Sequence, residues 1–147
     1  MSGSQPPAAG SVIRYTYLWA DEDAACRDEG RKDRPALVLV LAVRAQGSDT
    51  RVLVVAVTHT PPREPGDAVP FPPAERRRIG LDELPAWIVT TEANAFTWPG
   101  PDIRPVPGRP PGTFTYGRIS PALLTQVARS YLTNRNRQRG RLVVRTE

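Results

Sequence analysis

Ile13, Tyr15, Tyr17 and Trp19 occupy every second position of Val12 to Trp19, so an extended backbone would carry all four on one face and a strand is predicted there. Ala36 to Val43 is apolar without interruption, the pattern of a strand buried on both faces or central in a sheet. Arg51 to Thr58 is a second β-branched run. Between them Arg44 to Thr50, with Gln46-Gly47-Ser48-Asp49, reads as a turn, which makes the pair a hairpin at the centre of a sheet. Thr60-Pro61-Pro62 ends the second run abruptly. Ala68 to Phe71 is then predicted as a short edge strand and Ala74 to Ile79 as one helical turn carrying Arg76, Arg77 and Arg78. Ala86 to Thr91 follows as a strand with Trp87, Ile88 and Val89 as core candidates, and Phe114 to Arg118 as a further short strand.

Ser120-Pro121 opens the strongest helix, because serine is a favoured cap and proline suits the first helical position. Leu123, Leu124, Val127, Ala128 and Tyr131 recur there at helical spacing and would pack on the sheet. Asn134 to Gly140 reads as an arginine-studded connector to a terminal strand at Leu142 to Val144. Residues 1 to 10, without periodicity, read as a disordered lead-in, and residues 11 to 147 as one domain. Pro99 to Gly112 is proline-rich and suits neither a central strand nor a helix interior. The fold class expected is mainly β with minor α: a small, strongly bent antiparallel sheet or barrel with a helix near the C-terminus.

Length and composition bound the chemistry. A chain of 147 residues can bury one core without staples. One cysteine, Cys26, and one histidine make neither a disulfide framework nor a zinc site, so no cofactor and no metal are expected. No apolar run approaches the ~18 residues of a bilayer span, and the first ten residues lack the basic and apolar regions of a signal peptide, so a soluble cytoplasmic protein is expected. The net charge of +5 is unevenly spread: residues 103 to 146 hold nine arginines and no acid. Such a one-signed third suggests an anionic partner, with nucleic acid foremost. Nineteen of the 20 basic residues are arginine, which also fits the codon bias of a GC-rich genome.

The charged loop Glu29-Gly30-Arg31-Lys32-Asp33-Arg34-Pro35 runs directly into the apolar strand. Proline fixes its own φ and biases the preceding residue toward an extended backbone, so Arg34 enters the strand at a nearly set angle. Its guanidinium stays charged at working pH and offers a planar fork of donors that matches phosphate oxygens. A plainer alternative is that Arg34 pairs with Glu29 or Asp33 and solvates the loop.

The order of these landmarks resembles the MazF/PemK toxin family of toxin-antitoxin systems. Gly10 to Ile13 resembles its opening strand. Glu29 to Leu39 resembles its glutamate, glycine, Arg-Pro and apolar-strand signature, and Val54 to Thr58 the strand that ends in its threonine. Ile88 to Glu92 resembles its later core strand, and Gly117 to Leu124 the turn into its last helix. The resemblance covers roughly Gly10 to Thr133. It implies an SH3-like barrel that forms a homodimer, a metal-independent endoribonuclease that cuts single-stranded RNA, and inhibition by a cognate antitoxin protein. It places the catalytic arginine at Arg34 and the catalytic threonine at Thr58, with Glu29 as an acidic residue of the same loop. The sequence departs from the family in a longer loop from Ala20 to Asp33, in Ala56-Val57 where many members have Pro-Ile, in His59 after the threonine, and in the insertion at 99 to 112.

RNA carries its own nucleophile in the 2′-hydroxyl, so cleavage requires positioning, charge stabilisation and proton transfer. On that basis Arg34 would clamp the scissile phosphate and Thr58 would donate a second hydrogen bond. Arginine's pKa is too high for a base, which leaves Glu29 or His59 as candidates. Strand alternation would point His59 away from Thr58 if the strand runs through both. Further RNA contacts are expected from Arg31, Lys32, His59, Arg76 and Arg77, and from base stacking on Trp98 before Pro99-Gly100. The other aromatics are expected in the core. The alternatives are a noncatalytic barrel that binds nucleic acid or a protein partner, and a toxin directed at a protein target.

Overall fold

The computed structural model describes residues 5–20, 33–43, 50–137 and 141–144. Glu29, Arg31, Lys32, Cys26 and the predicted turn after Val43 lie outside the described residues. The architecture is mainly β. Eight strands, β1 (Ser11–Thr16), β2 (Asp33–Val43), β3 (Thr50–Thr58), β4 (Ala68–Pro70), β5 (Trp87–Val89), β6 (Glu92–Trp98), β7 (Thr115–Arg118) and β8 (Arg141–Val144), accompany two helices, α1 (Pro73–Arg78) and α2 (Pro121–Asn136). A single 3₁₀ turn, Pro65–Asp67, precedes β4. No helix among the described residues is long and apolar enough to cross a membrane.

The predicted hairpin is the middle of the sheet: β2 and β3 pair antiparallel from Ala36 opposite Ala56 to Val43 opposite Thr50. The register slips between Val38 and Val40, so β2 carries an extra residue there, a bulge that bends the strand. On the far side β2 pairs with β1, and β1 with β7. The other edge of β3 serves two partners. Its first five residues pair with β6, and its last two, Val57 and Thr58, pair with β5. β8 adds parallel to β6, whereas the other pairings are antiparallel.

Uninterrupted apolarity in β2 has the predicted consequence over Ala36 to Leu39, where both faces are buried, whereas Val40 is 48% exposed and Ala42 is exposed. Leu37 and Leu39 join Val12, Val55, Val57, Phe71, Ile88, Leu123, Val127 and Tyr131 in one core. Ala36 and Val38 join Ile13, Tyr15, Tyr17, Val52, Val54, Phe96 and Trp98 in the other, with Trp19 at its margin. Helix α2 closes the first core and begins as expected: Ser120 Oγ accepts a hydrogen bond from Leu123 N at 3.2 Å, with Pro121 at the first position. It runs through Asn136, so the start of the predicted connector is helical.

The proline-rich segment closes the aromatic core. Thr16 N donates to Asp102 O and Arg104 N to Arg14 O, each at 2.9 Å, so the segment satisfies part of the outer edge of β1. The end of the predicted lead-in is likewise docked: Gly10 N donates to Val38 O at 2.8 Å, and Ile119 N to Gly10 O at 2.9 Å. Backbone polarity forces this, because groups beside a packed sheet must find partners.

The ladder path runs β4-β5-β3-β2-β1-β7 and does not close into a barrel among the described residues. Arginine side chains tie β7, one end of this path, to α1 and the residue after it. Arg109 Nη1 donates to the carbonyls of Thr115 (2.9 Å) and Tyr116 (2.6 Å) in β7, and its Nη2 to Ile79 O (2.9 Å) after α1. Arg78 Nη1 donates to Arg118 O at 2.9 Å. Carbonyls of β7 and of Ile79 are thus bonded by guanidinium groups.

Candidate active site

Pro35 and the extended backbone before it place Arg34 in β2, opposite Tyr15 of β1. The β2–β3 register pairs Ala36 with Ala56. Carried two residues further along both strands, it sets Arg34 across from Thr58 on the same face. Both residues line one cleft of about 400 Å³, which also touches Arg14, Asp33, His59, Arg76, Asp82 and Tyr116. Two residues remote in the sequence are therefore brought to one place by strand register.

Arg34 is 7% exposed, and its guanidinium lies over the Trp19 ring, 5.2 Å from the centroid. The ring was expected to be core, and its contact with Arg34 had no sequence signal beyond the shared face of Tyr15, Tyr17 and Trp19. Asp33, offered by sequence as a partner for Arg34, accepts from Thr16 Oγ1 at 2.6 Å and has Arg14 Nε and Arg104 Nε each at 3.8 Å.

Thr58 ends β3 and is 8% exposed. Its Oγ1 accepts from Thr60 N at 3.1 Å, a local turn that fixes the hydroxyl. A hydroxyl that accepts one bond retains its own proton to donate. Because the strand stops at Thr58, alternation does not carry through to His59, which lies at the same cleft instead of pointing away from it. His59 Nδ1 donates to Pro85 O at 2.8 Å, and Nε2 lies 3.1 Å from Asp82 Oδ2. Both ring nitrogens are thereby engaged by oxygens, an arrangement that ties the 82–85 loop to the end of β3.

The expected RNA contacts divide. Arg77 is exposed on α1, as a solvent-facing cation should be. Arg76, expected to be exposed, is 5% exposed: its Nη1 donates to Leu84 O, and its Nε has no hydrogen-bond partner among the described residues. It lines the cleft from the inside, because one turn of helix directs only some of three consecutive arginines outward. Trp98 is corrected more fully. It is 8% exposed and packs against Phe114 (ring centroids 5.1 Å) and Phe96 (6.4 Å), so it is a core residue and presents no face to a base. Alternation along β6 puts Asn94, Phe96 and Trp98 on one side, and Phe114 covers that side.

Several groups at the cleft escaped sequence reading. Arg14 Nη1 donates to Tyr116 Oη at 3.4 Å, which joins β1 to β7 at the rim. Arg109 also lies over the Tyr116 ring at 5.6 Å. Neither pairing could be seen without the fold. No family model, functionally characterised protein or solved structure matches this chain significantly. The likeness to the MazF/PemK family rests on the sequence motifs alone.

Chemically, the cleft combines a fixed guanidinium, a fixed hydroxyl and two further arginines, with Asp33 and Asp82 at its margins. Donors fixed in place before reaction stabilise developing negative charge without having to reorganise. Such a lining suits an anion that gains charge during reaction.

Proposed function

We propose that the protein is an endoribonuclease that cleaves single-stranded RNA by attack of the 2′-hydroxyl on the adjacent phosphorus. The observation that carries this reading is that Arg34 and Thr58 line the same cleft. In the proposed step the 2′-oxygen bonds to phosphorus as the bond from phosphorus to the 5′-oxygen breaks. The 2′-hydroxyl gives up its proton and the leaving 5′-oxygen gains one. The products are a 2′,3′-cyclic phosphate and a 5′-hydroxyl. Arg34 clamps the phosphate and offsets its growing charge, and Thr58 donates a second hydrogen bond from the neighbouring strand. The base is left to Glu29 or to a group that the substrate brings, since His59 is held by Pro85 and Asp82. In the same proposal the protein acts as a toxin, forms a homodimer, and is restrained by an antitoxin protein.

Incubation with single-stranded RNA in EDTA, with chemical identification of the product ends, tests the reading. Arg34→Ala should slow cleavage about 10²- to 10³-fold, the usual effect of losing one preorganised donor. Its thermal unfolding should stay cooperative. RNA bound without cyclic-phosphate ends would overturn the proposal. That outcome would favour a second reading, to which the 7% exposure of Arg34 lends support: a noncatalytic domain that binds nucleic acid or a protein through its arginine-rich surface.

A further inference from the structure

We infer that Trp19 is the positioning residue for Arg34, and that Glu92 and Asn94 of β6 hold Trp19 in place; its catalytic consequence rests on the function proposed above. The strand β1 ends at Thr16, and Leu18 to Ala20 belong to no ladder. Side chains substitute for one. Asn94 Oδ1 accepts from Leu18 N and Asn94 Nδ2 donates to Leu18 O, both at 2.9 Å, which copies the two bonds of a strand pair. Glu92 Oε2 accepts from Ala20 N at 3.0 Å and from Tyr17 Oη at 3.2 Å. The residues on either side of Trp19 are therefore each tied to β6.

These anchors sit where polar groups are costly. Asn94 is fully buried and Glu92 is 7% exposed, beside the aromatic core. Burial of such groups is tolerated when each is hydrogen-bonded, and here the bonds go to the segment that carries Trp19. Burial, then the adjacent Glu92 carboxylate, push the Tyr17 phenol well above the ordinary tyrosine range, so it remains a donor to Glu92. The Tyr17 ring meets Trp19 edge-on at 5.0 Å. The indole thus has a fixed plane, and the guanidinium of Arg34 lies over it. A cation over tryptophan is attracted by the ring's quadrupole, and more strongly when desolvated. Since the donor fork of arginine is planar, a fixed ring sets the direction in which that fork points.

The test uses the full chain with Trp19→Leu and Trp19→Phe. With single-stranded RNA, Trp19→Leu should lower kcat roughly 10- to 100-fold with KM nearly unchanged, the mark of a misplaced group. Trp19→Phe, which keeps an aromatic face, should recover most of the loss. A Trp19→Leu protein with wild-type kcat, or a Trp19→Phe protein as slow as Trp19→Leu, overturns the assignment. A second readout does not depend on cleavage. The Arg34 Nε–H proton, assigned by its loss in Arg34→Lys, should resonate upfield in wild type and Trp19→Phe through the ring current, and shift downfield in Trp19→Leu. If wild type cleaves no RNA but shows this shift, the nuclease reading fails and the positioning of Arg34 stands. An unshifted Arg34 proton in wild type ends the inference, also where Trp19→Leu does not fold.

Discussion

Replacement of Gly117 by alanine tests how closely β7 packs against the end of α1. Gly117 sits in β7, opposite Val12, and an added Cβ would lie 2.6 Å from Ile79 Cγ2, 2.8 Å from Ile79 Cβ and 3.4 Å from Ile79 Cα. Carbon atoms in contact stand at about 3.5–4.0 Å, so β7 and the end of α1 would have to separate by nearly ~1 Å. Rotation of the Ile79 side chain cannot relieve the contact with its Cβ, which is fixed to the backbone. That backbone is anchored, since Ile79 O accepts from Arg109 and Ile79 N donates to Glu75 O. Overpacking of this kind costs about 1–3 kcal/mol. Reduced freedom of the unfolded chain returns about 0.4–1 kcal/mol of that. The net loss is about 1–2 kcal/mol, or a fall in Tm of roughly 2–8 °C for a chain of this size. Gly66→Ala is the control: Gly66 has nothing within 4 Å of its added Cβ, so its Tm should hold or rise. Both are measured by thermal unfolding followed by circular dichroism. Because α1 carries Arg76 into the cleft, Gly117→Ala should also lower any RNA affinity. A Gly117→Ala protein as stable as wild type would refute the close approach of β7 to α1.

Three further outcomes are expected. Burial alone would raise the pKa of Glu75, but hydrogen bonds from the Ser120 hydroxyl and amide, then from Arg78, outweigh it and hold the carboxyl below the ordinary range. A depressed folded pKa contributes stability above the unfolded value of about 4.3 and loses it as pH falls through the folded value. Wild type should therefore exceed Glu75→Gln by about 1–2 kcal/mol at pH 7 in urea titrations, with the gap shrinking below about pH 4. Arg109→Lys should destabilise the fold by about 1–3 kcal/mol in the same titrations, since one ammonium on a flexible stem cannot match a fork that reaches Thr115, Tyr116 and Ile79 carbonyls together. His59→Ala should leave the pH profile of RNA cleavage unchanged in position, because both ring nitrogens are engaged; loss of its acid limb would restore His59 as the base.

The strands that could be read in advance were those whose polarity followed their burial. Tyr15, Tyr17 and Trp19 share the expected face, and the first half of the unbroken run in β2, Ala36 to Leu39, is buried on both sides. The cap at Ser120 is a local device and was legible for that reason. β6 was not, because it buries Glu92 and Asn94, whose partners in residues 17 to 20 lie far away in the sequence. Trp98 looked available beside Pro99-Gly100, yet Phe114 covers it from another segment. Arg76 looked like surface charge because three consecutive arginines carry no periodicity to say which turns inward.

By itself the sequence determined the mainly β class, the central hairpin and the C-terminal helix, which follow from alternation, proline geometry and capping, all acting over a few residues; Arg34 and Thr58 were singled out as candidates by the family resemblance. Tertiary structure alone decided that β2–β3 register brings Arg34 and Thr58 to one cleft, that Trp19 meets Arg34, and that arginine side chains tie β7 to α1. The physical reason is that pairing between distant strands is set by the whole core's need to bury both faces of β2, and no short window of residues carries that requirement.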